Sequence, residues 1–350
     1  MIDIARRFPE NPLVVPKDLS PSSEGLAIIC LFNPGAFTFE GKTWLVARVA
    51  EGIARKPEVI SFPAINDQGK TEIVEIPLND PELIANDPRK LSYKGLGYLT
   101  TISHLRLLCS DNGIDFYEPE GYGPLTGQGT HEKFGIEDCR VTKIDDTFYL
   151  TYTAVSDNGV GVGLRLTRDW KNFEHKGMIF PPHNKDCAIF DEKINGKFYA
   201  LHRPVSIEVG GKYIWLAESS DGLQWGNHQC IVKTRTGLWD SARVGAGAAP
   251  IKTPYGWLEI YHGANAEHHY ALGAFLMDLE NPAKIISRTI EPIMVPREEY
   301  EISGFFGNVV FTNGHIVNGD EVTIYYGAAD ESICGAKFSI QEILSLLREL

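Results

Sequence analysis

One pattern recurs along this chain: a turn built on Gly, Asp or Asn, then an aromatic-rich strand of alternating polarity. It reads FEGKTWLVARV from Phe39, KIDDTFYLTYTA from Lys143, KINGKFYALHRP from Lys193 and VGGKYIWLAESSDGLQW from Val209. It returns as KTPYGWLEIYHGA from Lys252 and VNGDEVTIYYGAAD from Val317. Each copy reads as the second half of a β-hairpin closed by a tight turn. Helical periodicity is nearly absent, and QEILSLLREL at the C-terminal end is the main helix candidate.

Short strands grouped in units of about 40–60 residues fit a propeller better than a sandwich. The copies at Lys193 and Val209 lie too close for separate blades and read as consecutive strands of one four-stranded blade. Five units remain, beginning near Asn33, Asp138, Asp186, Gly247 and Gly307. A single blade cannot bury both faces, so residues 1–350 are expected to form one domain. The expected fold is all-β, a five-bladed β-propeller with a short C-terminal helix. Residues 54–130 are read as the outer strands of the first blade plus insertions.

The net charge of −13 argues against nucleic acid or an anionic membrane as partner, since both need basic surface. The N-terminal stretch MIDIARRFPENPLVVPKDLS carries charges and prolines where a signal peptide needs an apolar run. No apolar run approaches the roughly 18 residues of a membrane span. The expectation is a cytoplasmic protein. Cys30, Cys109, Cys139, Cys187, Cys230 and Cys334 are far apart with no C-x-x-C pair. That spacing suits free thiols better than a metal site or a disulfide framework. Neither metal nor cofactor is expected.

In a propeller the innermost strands line a central channel, and their ends carry the site. Out-of-place polar residues do fall near the unit starts. They are Asn33 and Arg48, then Glu137, Asp138 and Arg140, then Lys185, Asp186, His202 and Arg203. Glu218, Glu259, His262 and Asp330 follow. Singly, most have ordinary readings. An aspartate favours turns, a partly buried arginine pairs with a carboxylate, and a histidine can be a satisfied core residue. Glu259 is harder to set aside, because alternation places it on the same strand face as Trp257 and Tyr261. A carboxylate there faces either a solvated channel or a costly burial. Glu218, after Ile214–Ala217, has the same character. Paired carboxylates point to glycoside hydrolysis, in which one protonates the leaving oxygen and the other activates water or attacks the sugar. Trp44, Tyr152, Trp215, Trp257 and Tyr325 are candidates for stacking on sugars, with blade packing as the commoner role for such residues.

With these residues in view, the chain resembles glycoside hydrolase family 130. GIEDCR resembles its G-x-E-D-P-R motif, with Cys139 in place of the proline. NKDCAIFDEKINGKFYALHRP, GAGAAPIKTPYGWLEIYHG, YALGAFLMDLENPAKIISR and NVVFTNG…VTIYYGAAD follow in the family's order. The resemblance runs from about Asn33 to Ala336. It implies a five-bladed propeller acting on β-mannosides with inversion, and Asp138 as the general acid through a sugar hydroxyl. Family members include phosphorylases and β-1,2-mannosidases.

The two reactions need different partners for the sugar. Phosphorolysis needs cations to hold phosphate, whereas hydrolysis needs a carboxylate base. The family's phosphorylases are expected to carry an arginine where this chain has Gly161 in SDNGVGVGLRLT, with Arg165 offset. Lys185 and His202 match other anion-site positions. Glu218 and Glu259 stand where phosphorylases have uncharged residues, and two added anions would repel phosphate. The sequence therefore leads to an inverting, exo-acting β-1,2-mannosidase, with Asp138 as acid and Glu218 or Glu259 as base. Acid and base are then expected about 6.5–9.5 Å apart, or more with a relayed proton. Asn33, Arg48, Arg140, Lys185, Asp186, His202, Arg203, His262 and Asp330 are expected to bind the sugars. The alternatives are a β-mannoside phosphorylase releasing α-mannose 1-phosphate, and a propeller that binds glycans without cleaving them. The expected partner is a small mannoside, with self-association left open.

Overall fold

The computed structural model describes residues 3–53, 56–66, 68, 70–87, 90–205 and 208–349. Its regular structure is almost all antiparallel strand, so the expected all-β class holds. Its α-helices are Glu299–Ile302 and Ile340–Leu346. The second lies at the expected C-terminal place but is shorter, because Leu347–Glu349 leave it to pair with Ile285–Thr289.

Five sheets form the body, each a meander of neighbouring strands. The first contains Ala27–Phe39, Lys42–Gly52 and Ile102–Ser110. The second contains Ile136–Ile144, Thr147–Ser156, Gly159–Thr167 and Glu174–Phe180. The third contains Asn184–Ile189, Phe198–Pro204, Ile214–Ser219 and Gly226–Val232, which keeps the Lys193 and Val209 repeats together. In the fourth, Arg243–Gly245 and Ile251–Thr253 both pair with Gly256–Ala264, followed by Tyr270–Met277 and Ile285–Thr289. The fifth contains Val310–Asn318, Glu321–Ala328 and Ser332–Ser339, and its outer strand is Arg6–Arg7 from the other end of the chain. Hairpin turns carry the left-handed residues their geometry demands. Asn195 and Gly196, at φ 52° and 79°, are one such pair.

Between the second and third strands of the first sheet the chain makes an excursion. It forms two small sheets, Val59–Ile65 with Thr71–Pro77, and Leu83–Asp87 with Lys90–Tyr93 and Leu96–Leu99. Phe62, Ile76 and Leu91 form their own small core.

The alternating apolar residues meet between sheets rather than within one. Val46 and Leu107 of the first sheet pack with Ile136 and Leu150 of the second. Val162 of the second packs with Ile189 and Ala200 of the third. Leu201 and Leu216 of the third pack with Trp257 and Phe275 of the fourth. Leu258 and Leu272 of the fourth pack with Val322 and Phe338 of the fifth. Tyr325 and Ile333 of the fifth pack with Leu31 and Leu45 of the first. Each such fully buried side chain contributes about 1.5–3 kcal/mol. Trp44, Tyr152, Trp257 and Tyr325 are 1–4% exposed within these layers, so they pack sheets together. All six cysteines are free.

Candidate active site

The first strands of three sheets share one local device. The register of the first sheet slips between Phe32 and Gly35, of the second between Glu137 and Arg140, and of the third between Lys185 and Ala188. In each slip one residue is left-handed: Asn33 at φ 46°, Asp138 at 49° and Asp186 at 53°. Asn and Asp tolerate this region better than other side chains, which explains the residue types. A bulge re-aims side chains, and here it brings all three to one cleft of about 330 Å³. The bulge also corrects a simple alternation argument. With Asp138 out of extended geometry, Glu137 does not turn away, and both acids line the cleft.

Arg48 clamps the acidic pair. Its Nη2 donates to Glu137 Oε1 at 2.8 Å and its Nη1 to Asp138 Oδ1 at 3.0 Å. Asn33 Nδ2 donates to the same Asp138 oxygen at 3.1 Å, and Ser103 Oγ accepts from Arg48 Nε. Among the described residues the buried Asn33 Oδ1 has no hydrogen-bond partner. Burial alone would raise the proton affinity of Asp138, but Arg48, Lys185, Arg140 and Asn33 outweigh it and hold the carboxyl below its usual range.

Asp186 is the second hub. Arg203 Nε lies 2.7 Å from Oδ2, Arg140 Nη2 3.3 Å from Oδ1, and His262 Nε2 3.3 Å from Oδ2. The Arg203 contact is close, but its angle is poor for a hydrogen bond. Burial opposes ionisation, yet Arg203, His262 and Arg140 together hold Asp186 well below the ordinary range. Arg140 is a strut rather than a surface group. It donates to Asp138 O, Ala246 O and Gly247 O, and so ties the second sheet to the fourth. His262 is fully buried against the Phe311 ring, with its pKa lowered to about 4 by burial.

The structure separates the expected site residues into two groups. Asn33, Arg48, Asp138, Lys185, Asp186, Arg203 and Asp330 line the cleft, as does Glu137. Arg140, His202, Glu218, Glu259 and His262 do not. His202 lies behind, between Asn184 and His228 and stacked on Phe180. Burial and the neighbouring His228 lower its pKa to about 3, so the ring is neutral and is no cation for an anion.

Glu218 and Glu259 each have a local explanation. Glu218 pairs with Lys197 at 2.6 Å on the outer part of the third sheet, and Tyr199 lies within reach. Glu259 is 1% exposed and accepts from Gly247 N at 2.7 Å. Burial pushes its pKa well above the usual carboxylate range, against the opposing effects of that hydrogen bond and Arg140. A carboxyl shut away from the cleft cannot take a proton from water there. The alternation that placed Glu259 beside Trp257 and Tyr261 was right about the strand face, but that face is core.

The cations hold a second correction. At Gly161 an added Cβ would lie 2.8 Å from Met178 Sδ and 2.9 Å from Phe180 O, so no arginine fits. Arg165 is spent on Glu132 Oε2 at 3.0 Å and Thr126 O at 2.7 Å. The missing positive charge comes from elsewhere. Arg243, at the start of the fourth sheet, lines the cleft with Lys185 and Arg203, and so does Lys90 from the excursion. Arg243 donates to Tyr270 Oη at 2.8 Å and meets His268 Nδ1 at 2.7 Å, neither of them a carboxylate. Lys212 lies close by. Burial, then Arg243, Arg203, Lys185 and Lys90, lower its pKa, which reports several cations crowded on one side. Reading the fourth unit from Gly247 left Arg243 just outside the window, and nothing local in SARVGAG marks it.

Among the described residues no helix is long and apolar enough to cross a membrane, and no cluster of His, Cys, Asp and Glu could hold a metal ion. A family model described as β-1,4-mannooligosaccharide phosphorylase, glycoside hydrolase family 130, matches residues 101–349. The chain is 43% identical over 347 residues to a β-1,2-mannobiose phosphorylase of Listeria innocua, covering 97% of this chain and 98% of that protein. The solved complex of a β-1,2-mannobiose phosphorylase from Listeria innocua with β-1,2-mannobiose superposes with a TM-score of 0.94, over 98% of each chain at 43% identity. A structure described under family glycoside hydrolases that target β-1,2 mannosidic linkages superposes at 0.75 over 97% of this chain and 95% of that one, with 20% identity, which shows the fold alone. The full-length likeness to a phosphorylase overturns the expectation of a hydrolytic mannosidase. The placement of Glu218 and Glu259 removes the two residues on which that expectation rested.

Proposed function

We propose that this chain, which belongs to glycoside hydrolase family 130, is a phosphorylase that splits β-1,2-linked mannobiose with inorganic phosphate. The products are α-mannose 1-phosphate and mannose. The observation that carries this reading is that Lys185, Arg203 and Arg243 line one cleft with Asp138, while Glu218 and Glu259 both lie outside it. The full-length likeness to a phosphorylase acting on β-1,2-mannobiose supports the same substrate.

Phosphate needs no protein base, because its oxygen is already anionic. Lys185 and Arg243 are placed to hold it, and Arg203, oriented by Asp186, adds a third cation. A phosphate oxygen forms a bond to the anomeric carbon as the bond to the leaving oxygen breaks, with inversion. Asp138 supplies the proton that the leaving oxygen takes up, relayed through a sugar hydroxyl. Asn33, Arg48, Glu137 and Asp330 bind hydroxyls.

Asp138 meets an apparent conflict, since the cations around it favour its ionised form. Bound phosphate resolves this. Its negative charge offsets Lys185 and disfavours a second anion beside it, so the acid is charged with its proton when the nucleophile is present. The five sheets, with cores joining first to second in turn and fifth back to first, support reading residues 1–350 as a single five-bladed propeller. Phosphate-dependent consumption of β-1,2-mannobiose, with mannose 1-phosphate as product, is the test. Equal turnover without phosphate would refute the proposal.

A further inference from the structure

The cleft is chemically two-sided. Lys185 and Arg203 come from the third sheet, Arg243 from the fourth and Lys90 from the excursion, with Arg48 of the first sheet tied to Glu137 and Asp138, whereas most of the apolar residues come from the first and fifth sheets and the link between the fourth and fifth. Two apolar rings are already covered: Arg48 lies over Phe32 at 4.5 Å, and His262 lies against Phe311 at 4.1 Å. Phe305 and Phe306, in the link ahead of Val310–Asn318, are only half-buried in this polar cleft.

Links of this kind are usually mobile, but this one is fastened along its length. Ser303 N donates to Glu299 O at 2.8 Å, Phe306 N to Ala329 O at 2.9 Å, Asn308 N to Ile302 O at 3.1 Å and Val309 N to Glu301 O at 3.1 Å. Buried Glu301 is held by Arg7 and Tyr326, each at 2.7 Å. The flanking glycines leave no slack. A Cβ at Gly304 would lie 2.6 Å from Ala329 Cβ, and one at Gly307 would lie 2.2 Å from Ile302 O. Phe305 packs in part on Cys30, Phe32 and Ala50, and Phe306 lies beside the His268 ring, yet both keep apolar surface open to the cleft that a ligand can cover.

Stereochemistry says which part of the ligand that is. In an inverting displacement the nucleophile and the leaving group lie on opposite faces of the anomeric carbon. With phosphate on the third and fourth sheets, the leaving sugar lies toward the first and fifth. We propose that Phe305 and Phe306 form a fixed platform for the apolar C–H face of the leaving mannose, and so select the acceptor in the reverse reaction. This rests on the phosphorylase reading above.

The test runs synthesis from α-mannose 1-phosphate and mannose with wild type, Phe305→Ala, Phe306→Ala, and the ring-preserving Phe305→Tyr and Phe306→Tyr. Loss of ring stacking is expected to raise the KM for mannose at least about fivefold in an alanine variant. The KM for mannose 1-phosphate should stay within about twofold, and the tyrosine variants should recover most of the loss. Equal rises in both KM values, or no change in either with an unchanged Tm, would overturn the platform. A wild type that cleaves mannobiose without phosphate would instead overturn the enzymatic reading. The platform is then judged by calorimetric binding of mannobiose, which the alanine substitutions must weaken for it to stand.

Discussion

Lys185→Met is the most discriminating substitution. Lys185 is half-buried at the third-sheet bulge, lines the cleft beside Asp138, and forms no ion pair with any described carboxylate. Its role is therefore not that of a structural strut like Arg140. A charge-assisted hydrogen bond to phosphate in such a place contributes about 1.5–3 kcal/mol, less than the bare Coulomb attraction because both ions lose water. At roughly 1.4 kcal/mol per tenfold, the KM for phosphate should rise about 10- to 150-fold. The KM for mannobiose should move little. A second readout has a definite sign. Lys185 favours ionised Asp138, so its loss raises the proton affinity of the acid. The alkaline limb of the pH–rate profile should shift to higher pH. Initial rates over a grid of phosphate, mannobiose and pH measure both effects. A folded variant whose phosphate KM stays within about twofold of wild type would refute the placement of phosphate on this wall.

Asp138→Asn should lower kcat by about 10²- to 10⁴-fold, the range for loss of a general acid, while phosphate still protects the fold against heat. Glu259→Gln should leave phosphorolysis nearly unchanged, since Glu259 lies outside the cleft and Gln keeps an acceptor oxygen for Gly247 N. Because burial raises the Glu259 pKa, its protonated form is favoured by folding, and wild-type stability falls as pH rises from about 4.3 toward that raised value. Tm measured against pH should show this decline weakened in the Gln variant, and a variant without turnover would return Glu259 to the chemistry. Glu218→Ala removes only an exposed ion pair with Lys197, so stability should change by about 1 kcal/mol or less and activity not at all.

The sequence made the sheets legible because their signal is local. Hairpin turns and alternating strands are written within a dozen residues, so the grouping of the Lys193 and Val209 repeats could be read directly. Asn33, Asp138 and Asp186 were also visible, as polar residues at unit starts, though not the bulges that aim them. What local pattern could not reveal was the difference between a channel and a core. Both present a charged residue on an apolar strand, and Glu259 turned out to lie in the core. Nor could spacing show that Arg243 reaches the cleft from the fourth sheet while Arg165, nearer to the expected position, faces Glu132. Phe305 and Phe306 gave no periodic signal at all, because a link between sheets has no period to break.

The short strand Arg6–Arg7 completes the fifth sheet against Lys337 and Ala336, and Arg7 reaches on to Glu301. During synthesis those first residues must therefore wait, unpaired, until nearly the whole chain has emerged. Such a distant pairing is slow to form and comes late. The Glu301 that Arg7 secures anchors the segment carrying Phe305 and Phe306, so this distant pairing also braces one part of the cleft lining. Closing the last sheet thus joins the two distant ends of this fold to the wall of its cleft.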